Sequence, residues 1–152
     1  MGRSHSRFGK ADDSPGFMLW RATALWHKAI RTALEPFHLT QPQFVLLFSC
    51  KWLNQTTGAN GVTQVQLAQH AQMDVNVTSQ VLRTLERKEL ITRRRHPTDS
   101  RANVIVLTVL GNQVASDAVQ AVEEVDRTFF SVLGDDVRNL NQLLARLAQS
   151  RF

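Results

Sequence analysis

The sequence predicts a mainly α fold with one small β-hairpin, an α+β architecture. Three observations carry that expectation. Apolar residues recur at spacings of three and four over most of the chain, the repeat of helices with one packed face. Helix-start signatures punctuate those stretches at Ser14-Pro15, Thr40 with Gln43, Thr63 with Gln66, Asp74 and Thr108. One segment departs from the helical repeat: Ile91 to Arg95 and Asn103 to Leu107 are rich in β-branched residues and flank the turn-forming run HPTDSRA. With 152 residues, 43% apolar and 20% charged, the chain can build one packed domain with extensions.

Residues 1–13 are polar and read as a disordered arm. Ser14 caps, and Pro15 opens, a first helix that runs to about Phe37. Its stripe is Met18, Ala22, Leu25, Ala29 and Ala33, and Trp20, Trp26 and Ile30 widen the apolar surface. Thr40 and Gln43 form a capping box before a second helix, whose run from Phe44 to Phe48 reads as buried. Residues 54–61, NQTTGANG, read as a loop. Thr63 with Gln66 opens a short third helix over 64–72, with Leu67, Ala68 and Ala71 inward. After a turn of three residues Asp74 caps a fourth helix that reaches about Lys88, with Val81, Leu82 and Leu85 inward. Two short helices joined by a tight turn are a helix-turn-helix, and the hairpin that follows makes it a winged helix-turn-helix. Thr108 caps a long fifth helix carrying Val114, Ala118, Ala121, Val122, Val125 and Phe129, which Gly134 ends. Asp135 and Asp136 start a sixth, with Val137, Leu140, Leu144 and Leu147 at helical spacing.

The first, fifth and sixth helices bring more apolar surface than one small winged helix can bury. The expected organisation is therefore a helical dimerisation region, 14–38 and 109–152, around a winged helix-turn-helix unit, 39–108.

Charge is concentrated where the fourth helix meets the hairpin. Arg83 to Arg101 holds seven basic residues against three acidic ones, a net +4 of the chain's +5. A positive field beside a helix end is the footprint of a phosphate-backbone binder, and the pI of about 10.3 favours an anionic partner. The single cysteine, Cys50, forms no intrachain disulfide framework and fits a reducing cytoplasm. The start of the chain lacks a signal-peptide pattern, and no apolar stretch approaches a bilayer span of about 20 residues, so no membrane partner is expected. No nucleophile motif, Gly-rich phosphate loop or convincing carboxylate pair suggests an enzyme, and no Cys/His cluster suggests a metal.

Four segments resemble the MarR (multiple antibiotic resistance regulator) family of bacterial transcription factors. They are Leu39-Thr40-Gln41-Pro42-Gln43-Phe44, like its "LTxxQ" helix opening; Leu67-Ala68; the run from Ser79 to Lys88; and Arg93, Asp99-Ser100-Arg101-Ala102, Leu107-Thr108 and Gly111, like its "R…DxRA…LTxxG" wing. The likeness covers about residues 17–150, and the wing is its most specific part. One departure stands out. The family usually has Gly where this chain has Glu89, in the left-handed position after the fourth helix. Glutamate there costs about 1 kcal/mol if the same geometry is kept.

The resemblance implies a bacterial, cytoplasmic homodimer that binds double-stranded DNA as a ligand-responsive repressor. The fourth helix would enter the major groove, with Asn76, Val77, Ser79, Gln80, Arg83 and Arg87 as its DNA-facing set. The wing set is Arg93, Arg94, Arg95, His96, Asp99 and Arg101, with Arg101 in the minor groove and Asp99 orienting it. Because Arg94 and Arg95 alternate sides of the strand, one of the two is expected to point at DNA. Two recognition helices about 34 Å apart would demand a near-palindromic operator of roughly 16–20 base pairs. No cofactor is implied. A small aromatic or phenolic effector is, with Trp20, Trp26, His27, His38, Phe44, Phe48 and Trp52 as candidate pocket residues. Two alternatives stay open: a winged-helix protein–protein adaptor, and a thiol redox-sensing regulator acting through Cys50.

Overall fold

A computed structural model of the protein describes residues 6–57, 61–99 and 103–151. Among the described residues six α-helices accompany a small sheet: α1 Pro15–Leu34, α2 Gln41–Thr57, α3 Gln64–Ala71, α4 Val75–Arg87, α5 Val109–Phe130 and α6 Val137–Ala148. The strands are β1 Val62–Thr63, β2 Ile91–Arg95 and β3 Asn103–Leu107, in the spatial order β1-β3-β2, all antiparallel. The mainly α winged helix-turn-helix expected from the sequence is therefore the fold observed.

The local signals act as read. Ser14 Oγ accepts from the Phe17 N–H at the start of α1. Thr40 and Gln43 exchange hydrogen bonds reciprocally, as do Thr63 and Gln66. Each pair satisfies backbone N–H groups that a helix start leaves open.

Four expectations need correction. First, disorder does not extend through residue 13: Ala11–Asp13 form a 3-10 turn, and Asp12 pairs with Arg21 at 3.0 Å. Second, α2 continues to Thr57, so the loop expected from residue 54 starts later; 58–60 lie outside the described residues. Third, the hairpin gains a third strand, with Val62 opposite Ile105 and Thr63 opposite Val104. Fourth, the stripe read from α1's spacing is covered only in its second half, where Ala29 and Ala33 are half-buried. Ile30 and Leu34 are buried and Thr23 and Trp26 half-buried, while Met18 and Ala22 are exposed and Leu25 is 65% exposed. Both stripes have helical spacing, and only the neighbours α2 and α5 decide which one is covered within a single chain.

The core is continuous. Ile30 and Leu34 of α1, Leu46 and Leu47 of α2, Leu67 of α3, Leu82 and Leu85 of α4, and Ile91 and Ile105 of the sheet are all at most 1% exposed. Ala115, Ala118 and Val122 of α5 close it from the other side. α5 ends at Phe130 rather than at Gly134, and a 3-10 segment, Ser131–Asp136, leads to α6 with Gly134 at φ 52° inside it. None of α6's residues is buried.

The joint between α4, the sheet and α5 is tight. Thr108 Oγ1 accepts from the Gly111 N–H and donates to the Glu89 carbonyl, while the Thr108 N–H donates to the Leu90 carbonyl. A Cβ on Gly111 would lie 1.9 Å from the Leu90 carbonyl oxygen, so the site admits only glycine without rearrangement. This gives the threonine and glycine of the "LTxxG" run their physical reason.

Candidate nucleic-acid interface

The helix-turn-helix is built from α3 and α4. α3 ends in a Schellman motif: Gln72 is left-handed at φ 49°, Met73 N–H donates to the Ala68 carbonyl, and Gln72 N–H to that of Gln69. Asp74 then caps α4, its Oδ1 accepting from Asn76 N–H at 2.8 Å and Val77 N–H at 3.2 Å. Thr78, Leu82 and Leu85 anchor α4 in the core, and Thr78 Oγ1 donates back to the Asp74 carbonyl.

That anchoring leaves the opposite face in solvent. Asn76, Val77, Gln80, Arg83 and Arg87 are exposed along it, and Ser79 is half-buried at its margin. Arg83 Nε donates to the Ser79 carbonyl and an Arg87 NH group to Thr84 Oγ1, which holds both stems along the helix while their remaining N–H groups face outward.

Past α4 the chain makes a second Schellman turn. Glu89 stands at φ 59°, its N–H donates to the Glu86 carbonyl, and Leu90 N–H donates to that of Leu85. The left-handed geometry is thus kept with glutamate in place of glycine. Lys88 Nζ donates to the His38 carbonyl and to Gln43 Oε1, tying the end of α4 to the corner between α1 and α2. Sequence reading gave no role to this link, because nothing local joins residues 43 and 88.

The wing residues divide between two sheet faces. Arg93 Nε donates to Glu86 Oε2 at 3.1 Å, a partly shielded pair that fixes β2 against α4. Arg95 shares that face by pleat alternation, and Arg94 lies on the other. At the tip His96 Nδ1 accepts from the N–H groups of Thr98 and Asp99, so His96 shapes the turn. Arg101 and its expected pairing with Asp99 lie outside the described residues.

The candidate effector residues do not share one environment. Trp26 is half-buried, with its Nε1–H donating to Asp126 Oδ1 at 2.7 Å, and it borders an apolar cavity of about 320 Å³ with Phe129, Phe130, Leu140 and Leu144. It is the one of the seven candidates that lines this cavity. His27 stacks loosely on it, with ring centroids 5.4 Å apart. Phe44 and Phe48 stack on each other at 5.9 Å, Phe44 being buried. Trp20 is 73% exposed and Trp52 50% exposed. His38 is the left-handed residue closing the turn after α1.

Cys50 is 1% exposed and its Sγ–H points at the Ile105 carbonyl. Burial pushes the thiol up to about 12, against a smaller lowering by its hydrogen bond from Asn54. A thiol-based sensor needs an accessible thiolate, so the redox alternative is corrected: this cysteine is a core residue.

Comparison with known proteins agrees with this geometry. A family model described as "MarR family" matches residues 39–102. The HTH-type transcriptional regulator YdcH of Bacillus subtilis is 41% identical over 127 residues, which is 84% of this chain and 85% of that protein. An HTH-type transcriptional repressor of Mycobacterium tuberculosis is 30% identical over 141 residues, covering 91% of this chain and 97% of its own. Among solved structures, CouR of Rhodococcus jostii bound to p-coumaroyl-CoA superposes with a TM-score of 0.80 at 25% identity, over 95% of this chain and 99% of that one. The repressor CouR has also been solved on a 23-mer DNA duplex.

Proposed function

The chain belongs to the MarR family, and from that premise we propose that it is a homodimeric, ligand-responsive transcriptional repressor that binds double-stranded DNA at a near-palindromic operator. The observation that carries the reading is the exposed row on α4. Asn76, Gln80, Arg83 and Arg87 stand clear of the core on a helix locked at both ends, beside a strand of three arginines. Gln80 and Arg83 have the donor patterns that read adenine and guanine, Val77 suits a thymine methyl, and Asn76 and Ser79 suit base edges or phosphates. In this reading Arg87 and Arg95 meet backbone phosphates, Arg93 acts as a brace through Glu86, and Arg101 is the minor-groove candidate.

Residues 39–108 form the DNA-binding unit in this reading, and 14–38 with 109–152 the dimerisation region. Apolar side chains left exposed on α1 and α6, among them Met18, Leu19, Trp20, Leu143 and Leu147, support that division. A small aromatic effector is proposed by analogy with CouR, whose ligand is p-coumaroyl-CoA, and Trp26 is the residue of the candidate set best placed to meet one. The relatives are transcriptional regulators, and no enzymatic step is proposed. Among the described residues no helix is long and apolar enough to cross a membrane.

The test is selection of bound sites from a random double-stranded DNA pool at physiological salt. Recovery of a two-fold symmetric motif supports the reading. Recovery of no motif, with binding that merely weakens as salt rises, would leave a backbone-gripping adaptor instead.

A further inference from the structure

The turn that closes the wing is organised around one imidazole nitrogen. His96 Nδ1 accepts from the Thr98 N–H at 3.2 Å and from the Asp99 N–H at 3.1 Å. The Thr98 hydroxyl stands 3.3 Å from the same nitrogen. We propose that His96 is a positioning residue for DNA recognition: its neutral ring, protonated on Nε2, holds the wing turn through Nδ1 as an acceptor and makes no charged contact with phosphate. The role rests on the DNA-binding reading above and deepens it, because a histidine among arginines otherwise reads as one more cation.

Spacing supports a cap. Acceptance from the N–H groups two and three positions on is the pattern of Asp74 at the start of α4, where Oδ1 accepts from Asn76 and Val77. Short polar side chains hold turns in this way because the acceptor reaches the backbone just ahead of it. Pro97 follows His96. Proline has no N–H to satisfy and fixes φ at about −65°, which suits the second position of a turn. His96 thus stands where turns favour asparagine, aspartate or serine.

The chemistry of the ring fixes the proton. A neutral imidazole carries one N–H and one lone pair. Two backbone donors facing Nδ1 require the lone pair there, so the proton lies on Nε2. A proton on Nδ1, in the other tautomer or in the imidazolium, would point at two N–H groups and leave both unpaired. His96 is half-buried while Pro97, Thr98 and Asp99 are exposed, as expected for a ring turned into the loop it holds.

Place in the chain gives the cap its consequence. β2 ends at Arg95 and β3 starts at Asn103, so this turn sets how the backbone leaves the first wing strand. Arg101, the minor-groove candidate, follows Asp99 by two residues. Loosening the turn makes that arginine harder to order on DNA, so affinity falls although no contact is removed.

The test compares His96→Asn, His96→Leu and His96→Lys in the full chain. Asparagine can accept from the same two N–H groups through Oδ1, leucine cannot, and lysine adds a charge without an acceptor. In the free protein, solvent exchange of the Thr98 and Asp99 amides should quicken at least about fivefold in the Leu and Lys variants and stay within about twofold of wild type in the Asn variant. Long-range proton–nitrogen spectra of the wild type in mildly alkaline buffer should place the His96 proton on Nε2. On the duplex recovered by the site selection, the Leu and Lys variants should bind at least about fivefold more weakly, with the Asn variant within about twofold of wild type. The Leu variant should keep the wild-type slope of log affinity against log salt, because no phosphate contact is lost. Circular dichroism and the urea midpoint confirm that all three fold. Binding by His96→Lys that equals or exceeds wild type, with failure of His96→Asn, would make His96 a phosphate contact and overturn the proposal. So would a proton on Nδ1, or amide exchange that all three changes leave alone. A protein that recognises no DNA sequence sinks the positioning role together with the DNA-binding reading, and the exchange rates still decide whether the cap exists.

Discussion

At Glu89 the backbone occupies φ 59°, a left-handed conformation that a side chain with a Cβ adopts at a cost of about 1 kcal/mol. The residue is exposed, so the side chain gains little from packing in return. Glu89→Gly is expected to raise unfolding stability by about 1 kcal/mol, read as a higher urea midpoint at an unchanged slope. Gly111 is the opposite case, because a methyl there collides with the Leu90 carbonyl. Gly111→Ala should lower stability by about 3 kcal/mol in the same measurement. Cys50 gives a third residue-scale expectation. Its thiol is raised to about 12 from an ordinary 9.0, so the folded state favours the protonated form. That contribution is complete below pH 9 and is lost as pH climbs from 9 towards 12, since the unfolded chain ionises first. At pH 8 alkylation of native protein should be at least about a hundredfold slower than in denaturant; equal rates would restore the redox reading. The strain at Glu89 could be read from the motif because a helix C-terminus is a local event. The state of Cys50 could not, since it depends on burial under elements far away in the sequence, among them a strand about 55 residues on.

Among elements, α4 shows what sequence reading reaches and where it stops. Asp74's cap, the inward Leu82 and Leu85 and the outward polar row all follow from spacing within 15 residues, and the structure places them so. The brace from Lys88 to His38 and Gln43 joins residues about 50 positions apart, and no period in the sequence announces it. β1, with two residues, is too short to carry a pattern and exists because β3 offers it an edge. α1 carries two apolar stripes, and choosing between them requires knowing its neighbours. The Lys88 brace makes a prediction that a phosphate contact would not. Lys88→Met should weaken operator binding by about threefold to tenfold while the salt dependence stays parallel to wild type, because the helix tilts but no counterion release is lost. Arg87→Gln should instead flatten the slope of log affinity against log salt by about one unit. Fluorescence anisotropy from roughly 50 to 200 mM salt separates the two, and a flattened slope for Lys88→Met would move that lysine from brace to phosphate contact.

The whole molecule presents an imbalance that one chain does not resolve. α6 buries no side chain, yet Leu143, Leu144 and Leu147 line up on it, and Leu147 is 62% exposed. On α1, Phe17, Met18, Leu19, Trp20 and Leu25 are exposed as well. Apolar surface gathered on two helices at the chain's ends matches the demand of a two-fold partner. Since Leu143 is 46% and Leu147 62% exposed within one chain, charging them removes little packing from the protomer. Leu143→Asp combined with Leu147→Asp should therefore leave the helical circular dichroism intact and shift sedimentation from dimer to monomer at micromolar protein. The same variant should bind the selected operator at least about a hundredfold more weakly, because the second half-site is then reached by a separate molecule rather than a tethered one. A half-site duplex should be bound about equally by variant and wild type. Loss on the half-site too would mean that α6 supports the helix-turn-helix within its own chain, a role for which the hydrogen bond from Gln72 Nε2 to the Ala148 carbonyl already provides a route.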